Sequence, residues 1–331
     1  MPSRRLLLAA AAAAAASAAP NAPAPAQDAA APWRPSRPVR FIVPFVAGGS
    51  TDIAARLLAE RMGELLGQPV VVENRGGSGG NIGGEMAARA APDGHTLLMG
   101  VTGLLATNPH IYRNMGFDPA RDLLPVSMAY TSDMVIVVPN GLPAATLPDL
   151  VAFARARPGA LSYGSSGHGA STHTASELFR LAAGIELLHV PYRGSGAAMN
   201  DLMAGTLQMM LTQIAGIIGP IRDGQVRALA ATGPRRHPLL PEVPTVAEAG
   251  WPEATATSWG CVMAPAGTPA AAVAALNAAV VGAVATPSVA QRMAAAGMDG
   301  ETGTPEALGA FLAAERAKWG RVVREARIAV E

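Results

Sequence analysis

Two short segments hold the residues best suited to grip a small molecule. Ala47-Gly48-Gly49-Ser50-Thr51 and Ser165-Ser166-Gly167-His168-Gly169-Ala170-Ser171 each mix glycines with hydroxyl side chains where a strand gives way to a helix. Glycine lets backbone come close to a ligand, and the amide N–H groups that open a helix have no partner inside it. With the helix dipole, worth roughly half a positive charge, they make an anion site that needs no lysine or arginine. One such turn is also what any capped helix after a strand looks like. Its recurrence far along the chain favours two jaws on one small anion. Ser50 or Thr51 is the expected N-cap of the first helix, with Asp52 complementing its positive start.

Other chemistries fit less well. Gly76-Gly77-Ser78-Gly79-Gly80 lies between strand and helix as a dinucleotide fingerprint would, but Ile82 stands where the third glycine belongs and no P-loop lysine follows. A tight turn near the cleft is the better reading, and no cofactor is expected. A G-x-S-x-G elbow around Ser166 would need glycine at the position of His168. His168 and His173 miss the i, i+4 spacing of a helical zinc pair, so neither a metal nor a catalytic residue is expected. His168 is read as facing the ligand and His173 as packing or capping. Arg193 could clamp a carboxylate bidentately or stand free in its loop. Asp201 could meet a ligand ammonium or hydroxyl, or be a solvated helix acid.

These residues must be positioned by the elements around them. A β-branched run at 39–44 ends at Ala47-Gly48-Gly49, and Leu57, Leu58, Met62, Leu65 and Leu66 then recur at helical spacing until Gly67. The pattern repeats: strands at 70–73, 96–100, 135–138, 161–164 and 187–191, helices at 82–91, 147–157 and 172–183, and Met209-Met210-Leu211 as a buried strand. Alternating strands and helices imply βαβ units and a mostly parallel sheet covered on both faces. After a strand at 257–264, helices at 269–285, 287–296 and 305–327 follow without strong strands, so a helical cluster should wrap the first domain after a return crossing.

Composition narrows the function classes. Charged residues make up 15% and apolar ones 50%, which argues for a globular chain and against disorder. A net charge of +1 without a basic stripe argues against nucleic acid. Cys261 stands alone, excluding an internal disulfide, a cysteine metal cluster and N-terminal lipidation. Residues 1–26 carry Arg4 and Arg5, an apolar run and then small residues, the order of an export signal; Sec and twin-arginine routes both fit. Residues 27–37 read as a flexible lead-in. No later segment is long and apolar enough to span a bilayer, so a periplasmic protein is expected.

The segments at 44–56 (PFVAGGSTDIAAR), 73–84 (ENRGGSGGNIGG), 92–100 (PDGHTLLMG), 163–179 (YGSSGHGASTHTASELF) and 190–211 (VPYRGSGAAMNDLMAGTLQMML) resemble the Bug receptors, extracytoplasmic solute-binding proteins of tripartite tricarboxylate transporters. The resemblance covers residues 38–330 in order. It implies a type II periplasmic-binding-protein fold, α/β, of two α/β/α sandwich domains with two hinge-crossing strands: 38–132 plus 257–331, and 133–256. It also implies capture of a small carboxylate by backbone amides of the two loops. Carried to this chain, the ligand residues are Phe45, Gly48, Gly49, Ser50, Thr51, Asn81, Thr102, Ser165, Ser166, Gly167, His168, Gly169, Ser171, Arg193, Asp201 and Gln213. Arg193 and Thr174 stand where lysine and leucine are commoner. The expected partner of this monomer is a membrane permease of that transporter type; an exported serine hydrolase or a receptor signalling to a membrane kinase are the alternatives.

Overall fold

The structure, a computed structural model, describes residues 33–192 and 194–328. The segment read as an export signal, most of the lead-in and Arg193 lie outside these residues.

Strand β1 (Val39–Val43), helix α1 (Ser50–Leu66), β2 (Val70–Asn74), α2 (Asn81–Ala88) and β3 (Thr96–Val101) open the fold, with β1 parallel to both β2 and β3. The apolar stripe of α1 buries Leu57, Leu58, Met62 and Leu66, and Gly67 ends the helix in the left-handed conformation. A π-helical turn at Gly103–Thr107 and α3 (Asn108–Ile111) lead into β4 (Leu123–Pro139). Then come α4 (Leu147–Arg155), β5 (Leu161–Ser165), α5 (Ser171–Ala183), β6 (Leu187–Pro191), α6 (Ser195–Met203), β7 (Met209–Gln213), α7 (Ile214–Arg222) and β8 (Val226–Ala231). The chain returns through β9 (Thr257–Pro265) and finishes with α8 (Ala270–Val284), α9 (Pro287–Ala295), β10 (Asp299–Gly300) and α10 (Pro305–Glu325).

The strand order is β2-β1-β3-β9-β4-β7-β5-β6. Its outer pairings are parallel but the central ones are antiparallel, which corrects the expectation of a mostly parallel sheet. The reason is that β4 carries the chain into the second half and β9 takes it up on its return. β4 pairs with β9 as far as Asp133 and with β7 from Met134 onward. At the same level Thr232 donates its amide to the Met134 carbonyl at 2.8 Å, and Ala256 to the Thr232 carbonyl at 2.9 Å. Both crossings thus meet at one point.

β4 is far longer than the strand expected at 135–138. Its first part contains Pro125, Ser127, Ser132 and Asp133, which mask a strand pattern; the register with β9 shifts between Pro125 and Ser127, where proline costs no ladder bond. The Ala-rich β8 was not expected either, and owes its strand form to pairing with β4.

Apolar packing follows the same plan. Phe41, Leu58, Met62, Leu276 and Val280 form a core under the first half, and Val135, Met210, Leu202 and Ile217 one under the second. A third core, with Trp259, Trp319, Tyr163 and Phe179, runs through both. Helices α8 and α9 cover α1 as expected, whereas α10 packs on β4 and also reaches α5. Among the described residues no single helix is long and apolar enough to cross a membrane.

Candidate functional site

The first jaw is the turn into α1. Its N-cap is Gly49, not Ser50 or Thr51, and no side chain caps the helix. Asp52 instead reaches back: it accepts from the Gly48 amide at 2.9 Å, from Arg56 Nε at 3.0 Å and from Asn74 Nδ2 at 3.0 Å. Asn74 Nδ2 also donates to the Phe45 carbonyl at 3.0 Å, which ties the loop to β2. Burial pushes the Asp52 carboxyl pKa up, but Arg56, the Gly48 amide and Asn74 outweigh it and hold the group below its ordinary value. Gly48 takes φ 90°, a conformation glycine adopts freely. With Asp52 spent on Gly48, the first-turn amides of Ser50, Thr51 and Asp52 have no acceptor among the described residues.

The second jaw is the turn into α5, whose N-cap is Ala170, again without a side-chain cap. Here fewer amides are open than the sequence implied. Ser166 donates to Thr172 Oγ1 at 2.9 Å, Gly167 to Ser165 Oγ at 3.2 Å and Gly169 to His173 Nδ1 at 3.1 Å. These bonds stiffen the loop and leave the Ser171 and Thr172 amides of the helix start without an acceptor among the described residues. Gln213 Nε2 donates to Ser171 Oγ at 3.3 Å and fixes that hydroxyl.

Both turns open into one cleft of about 490 Å³. Phe45, Gly49, Ser50, Thr51, Thr102, Ser166, Gly167, His168, Gly169, Ser171 and Gln213 line it. Four others of the expected set do not. The Gly48 amide is held by Asp52; Asn81 is buried, with Oδ1 accepting from Asn108 Nδ2 at 2.7 Å; Asp201 accepts from the Tyr192 hydroxyl at 2.5 Å. Ser165 is fully buried, 2.7 Å from His189 Nε2. Arg193 lies outside the described residues.

Asp52, and Gly79 of the glycine-rich turn read as lying near the cleft, are in its wall; Asn108, Tyr130, Ser132 and Ser258 were not foreseen there. Tyr130 pairs across the ladder with Gly260, and a side chain on Gly260 would run into the Tyr130 ring. Only a known register could have exposed that signal. Burial pushes the Tyr130 phenol up to about 12, against the opposing effect of Thr51 beside it. The second jaw lies close to the segment after β3: a Cβ on Gly169 would lie 3.1 Å from Ile111 Cδ1, and one on Gly103 would lie 3.8 Å from the Gly169 carbonyl oxygen.

Chemically, the cleft offers amides, hydroxyls and a partly apolar wall, and no lysine or arginine among the described residues lines it. Ser165 and His189 are paired as a nucleophile and base would be, but Ser165 is sealed from the cleft and its hydroxyl also contacts the Gly167 carbonyl at 3.3 Å. A buried hydroxyl cannot reach a substrate.

Two α/β halves joined by crossing strands, with opposed helix starts between them, define a type II periplasmic-binding-protein fold. Residues 54–328 match the family described as "Tripartite tricarboxylate transporter family receptor". The chain belongs to that family, the Bug receptors. It is 39% identical to Protein BugT of Bordetella pertussis over 88% of this chain and 90% of that one. Among solved structures it resembles R. palustris Rpa4515 with adipate (37% identity, TM-score 0.79, covering 89% of this chain and 99% of that one). It also resembles MatC of Rhodopseudomonas palustris with bound malate (31% identity, TM-score 0.75, covering 87% and 99%).

Proposed function

We propose that this receptor captures a small organic carboxylate in the cleft, after export to the periplasm, and hands it to the membrane subunits of a tripartite tricarboxylate-type permease. One observation carries the reading: α1 and α5 open into the same cleft with unpartnered first-turn amides on both sides. A carboxylate between them satisfies donors from both and gains from both dipoles. The adipate and malate held by the two related proteins support this class of ligand. Ser50, Thr51, Ser166 and Ser171 would add hydroxyl contacts, and Phe45 and Tyr130 would pack on the carbon chain.

In this reading residues 38–132 with 257–331 form one closing body and 133–256 the other, hinged where β4 and the return segment cross. No catalytic step is involved, in keeping with the sealed Ser165. The test is a thermal-shift and calorimetric screen of the mature protein against mono-, di- and tricarboxylates, beginning with adipate and malate. A ligand at a hundred times its Kd should stabilise the fold by about 2.7 kcal/mol, a shift of several degrees. Failure of every carboxylate to bind a folded sample, or turnover of an ester by it, would overturn the proposal.

A further inference from the structure

Half of the chain's six histidines meet behind the second jaw. His168 lies in the loop, His173 in the first turn of α5 and His189 in β6, and each offers a ring nitrogen within 4.8 Å of the other two. The His173 and His189 rings stack face to face at 3.9 Å, and His168 stands edge-on to them at 5.6 and 5.1 Å. The three line a separate cavity of about 320 Å³, and His168 also lines the carboxylate cleft.

The hydrogen bonds say which lone pairs are available. In the tautomer with the proton on Nε2, His189 donates to Ser165 Oγ at 2.7 Å while Ser165 Oγ donates to the Gly167 carbonyl, and the lone pair of His189 is on Nδ1. His173 Nδ1 accepts the Gly169 amide, so its lone pair is also on Nδ1. Neutral imidazole is the form that binds metal.

We propose that His168, His173 and His189 form a binding site for a borderline divalent metal ion: Zn²⁺, Ni²⁺ or Cu²⁺. Imidazole nitrogen suits these ions and not Mg²⁺ or Ca²⁺. Metal–nitrogen bonds of about 2.0–2.1 Å bring tetrahedral ligands to roughly 3.3 Å apart, so the three nitrogens must draw together. His168, exposed on its loop, is free to swing in, while one ring of the stacked pair turns out of the stack. The ion displaces the Gly169 amide from His173 Nδ1 without a change of tautomer. Ser165 then serves as the outer partner that holds His189 in orientation. Glu177 is not a ligand, because it accepts from the Tyr163 hydroxyl at 2.6 Å and pairs with Arg180 at 2.7 Å; the fourth position is left to water or an added anion. This site departs from the sequence reading, in which only the His168 and His173 spacing was weighed; His189 joins them through the pairing of β5 with β6.

The experiment is calorimetric titration of the full chain, purified without a polyhistidine tag, with Zn²⁺ and Ni²⁺, and absorption spectroscopy with Co²⁺. One ion per chain is expected, with a visible Co²⁺ band from nitrogen ligation. His168→Ala, at an exposed loop position, and His189→Gln should each weaken binding at least tenfold, while His110→Ala, outside the cluster, should not. Circular dichroism of each variant checks the fold. Absence of saturable binding to the wild type, or wild-type affinity in either folded variant, overturns the proposal.

Discussion

Gly49 and Gly169 sit at matching places in the two jaws, yet substitution should act differently at each. Gly49 has φ −79°, an ordinary value, and no atom lies within 4 Å of where its Cβ would be. A side chain there is free of backbone strain and projects at the cleft. Gly169 has φ 71° and a tight neighbour in Ile111, so a side chain strains the loop and crowds α3 as well. Gly49→Val is therefore the cleaner probe: calorimetry should show carboxylate affinity falling about a hundredfold or more, roughly 2.7 kcal/mol, at an unchanged melting temperature. Gly169→Val should lose affinity and also melt lower, by on the order of 1–3 kcal/mol of backbone strain. An unchanged melting temperature for both would mean that the left-handed requirement at Gly169 carries no cost.

Among the elements, α10 is pinned to β9 by one carboxylate. Glu315 accepts from Trp259 Nε1 at 2.7 Å and from Trp319 Nε1 at 2.8 Å, and both indoles are almost fully buried. Glu315→Leu leaves two buried donors without partners, which costs about 1–3 kcal/mol each. Urea unfolding should show a loss of about 2–5 kcal/mol for this variant, with a changed tryptophan emission. A surface substitution of the same kind, Glu325→Leu at the end of the helix, should stay within about 0.5 kcal/mol. Little of this pinning shows in the sequence. The helical period of α10 is plain, but Trp259 comes from a strand far away in the chain, and only packing brings it onto Glu315.

On the scale of the whole molecule, acid should loosen the second half first. His173 and His189 titrate well below an ordinary histidine, because burial disfavours their charged form. The unfolded chain therefore binds protons that the folded chain does not, and stability is lost as pH falls from about 6.5 towards 4. The slope is at most about 1.4 kcal/mol per pH unit for each imidazole, less for the half-buried His189. Melting curves at pH 7.0, 6.0 and 5.0 should decline by several degrees, and the decline should be shallower in His189→Gln. Equal slopes in the two proteins would exclude the histidine stack as its source. Asp52, with its carboxyl pKa held low, would lose its contribution only at lower pH, so the two effects separate. Closure makes a second prediction at this scale. Small-angle scattering should give a smaller radius of gyration with a bound carboxylate than without, since the ligand favours the form in which both helix starts reach it.

Local order in the sequence determined the strand–helix units, the helix end at Gly67, and the two glycine-rich turns as the places where amides are left over. Those are matters of period, capping and φ, which neighbouring residues settle among themselves. Tertiary structure decided the rest. Asp52 captured the Gly48 amide, Thr172 and His173 captured those of Ser166 and Gly169, and Ser165 turned away to His189. Side chains compete for donors in three dimensions, and the winner depends on distances the sequence does not contain. The same is true of β4. Its first half, interrupted by Pro125, Ser127, Ser132 and Asp133, became strand because β9 lies beside it, and that pairing placed Tyr130 and Ser132 in the cleft wall. A long-range partner supplied the ladder bonds that local propensity did not promise.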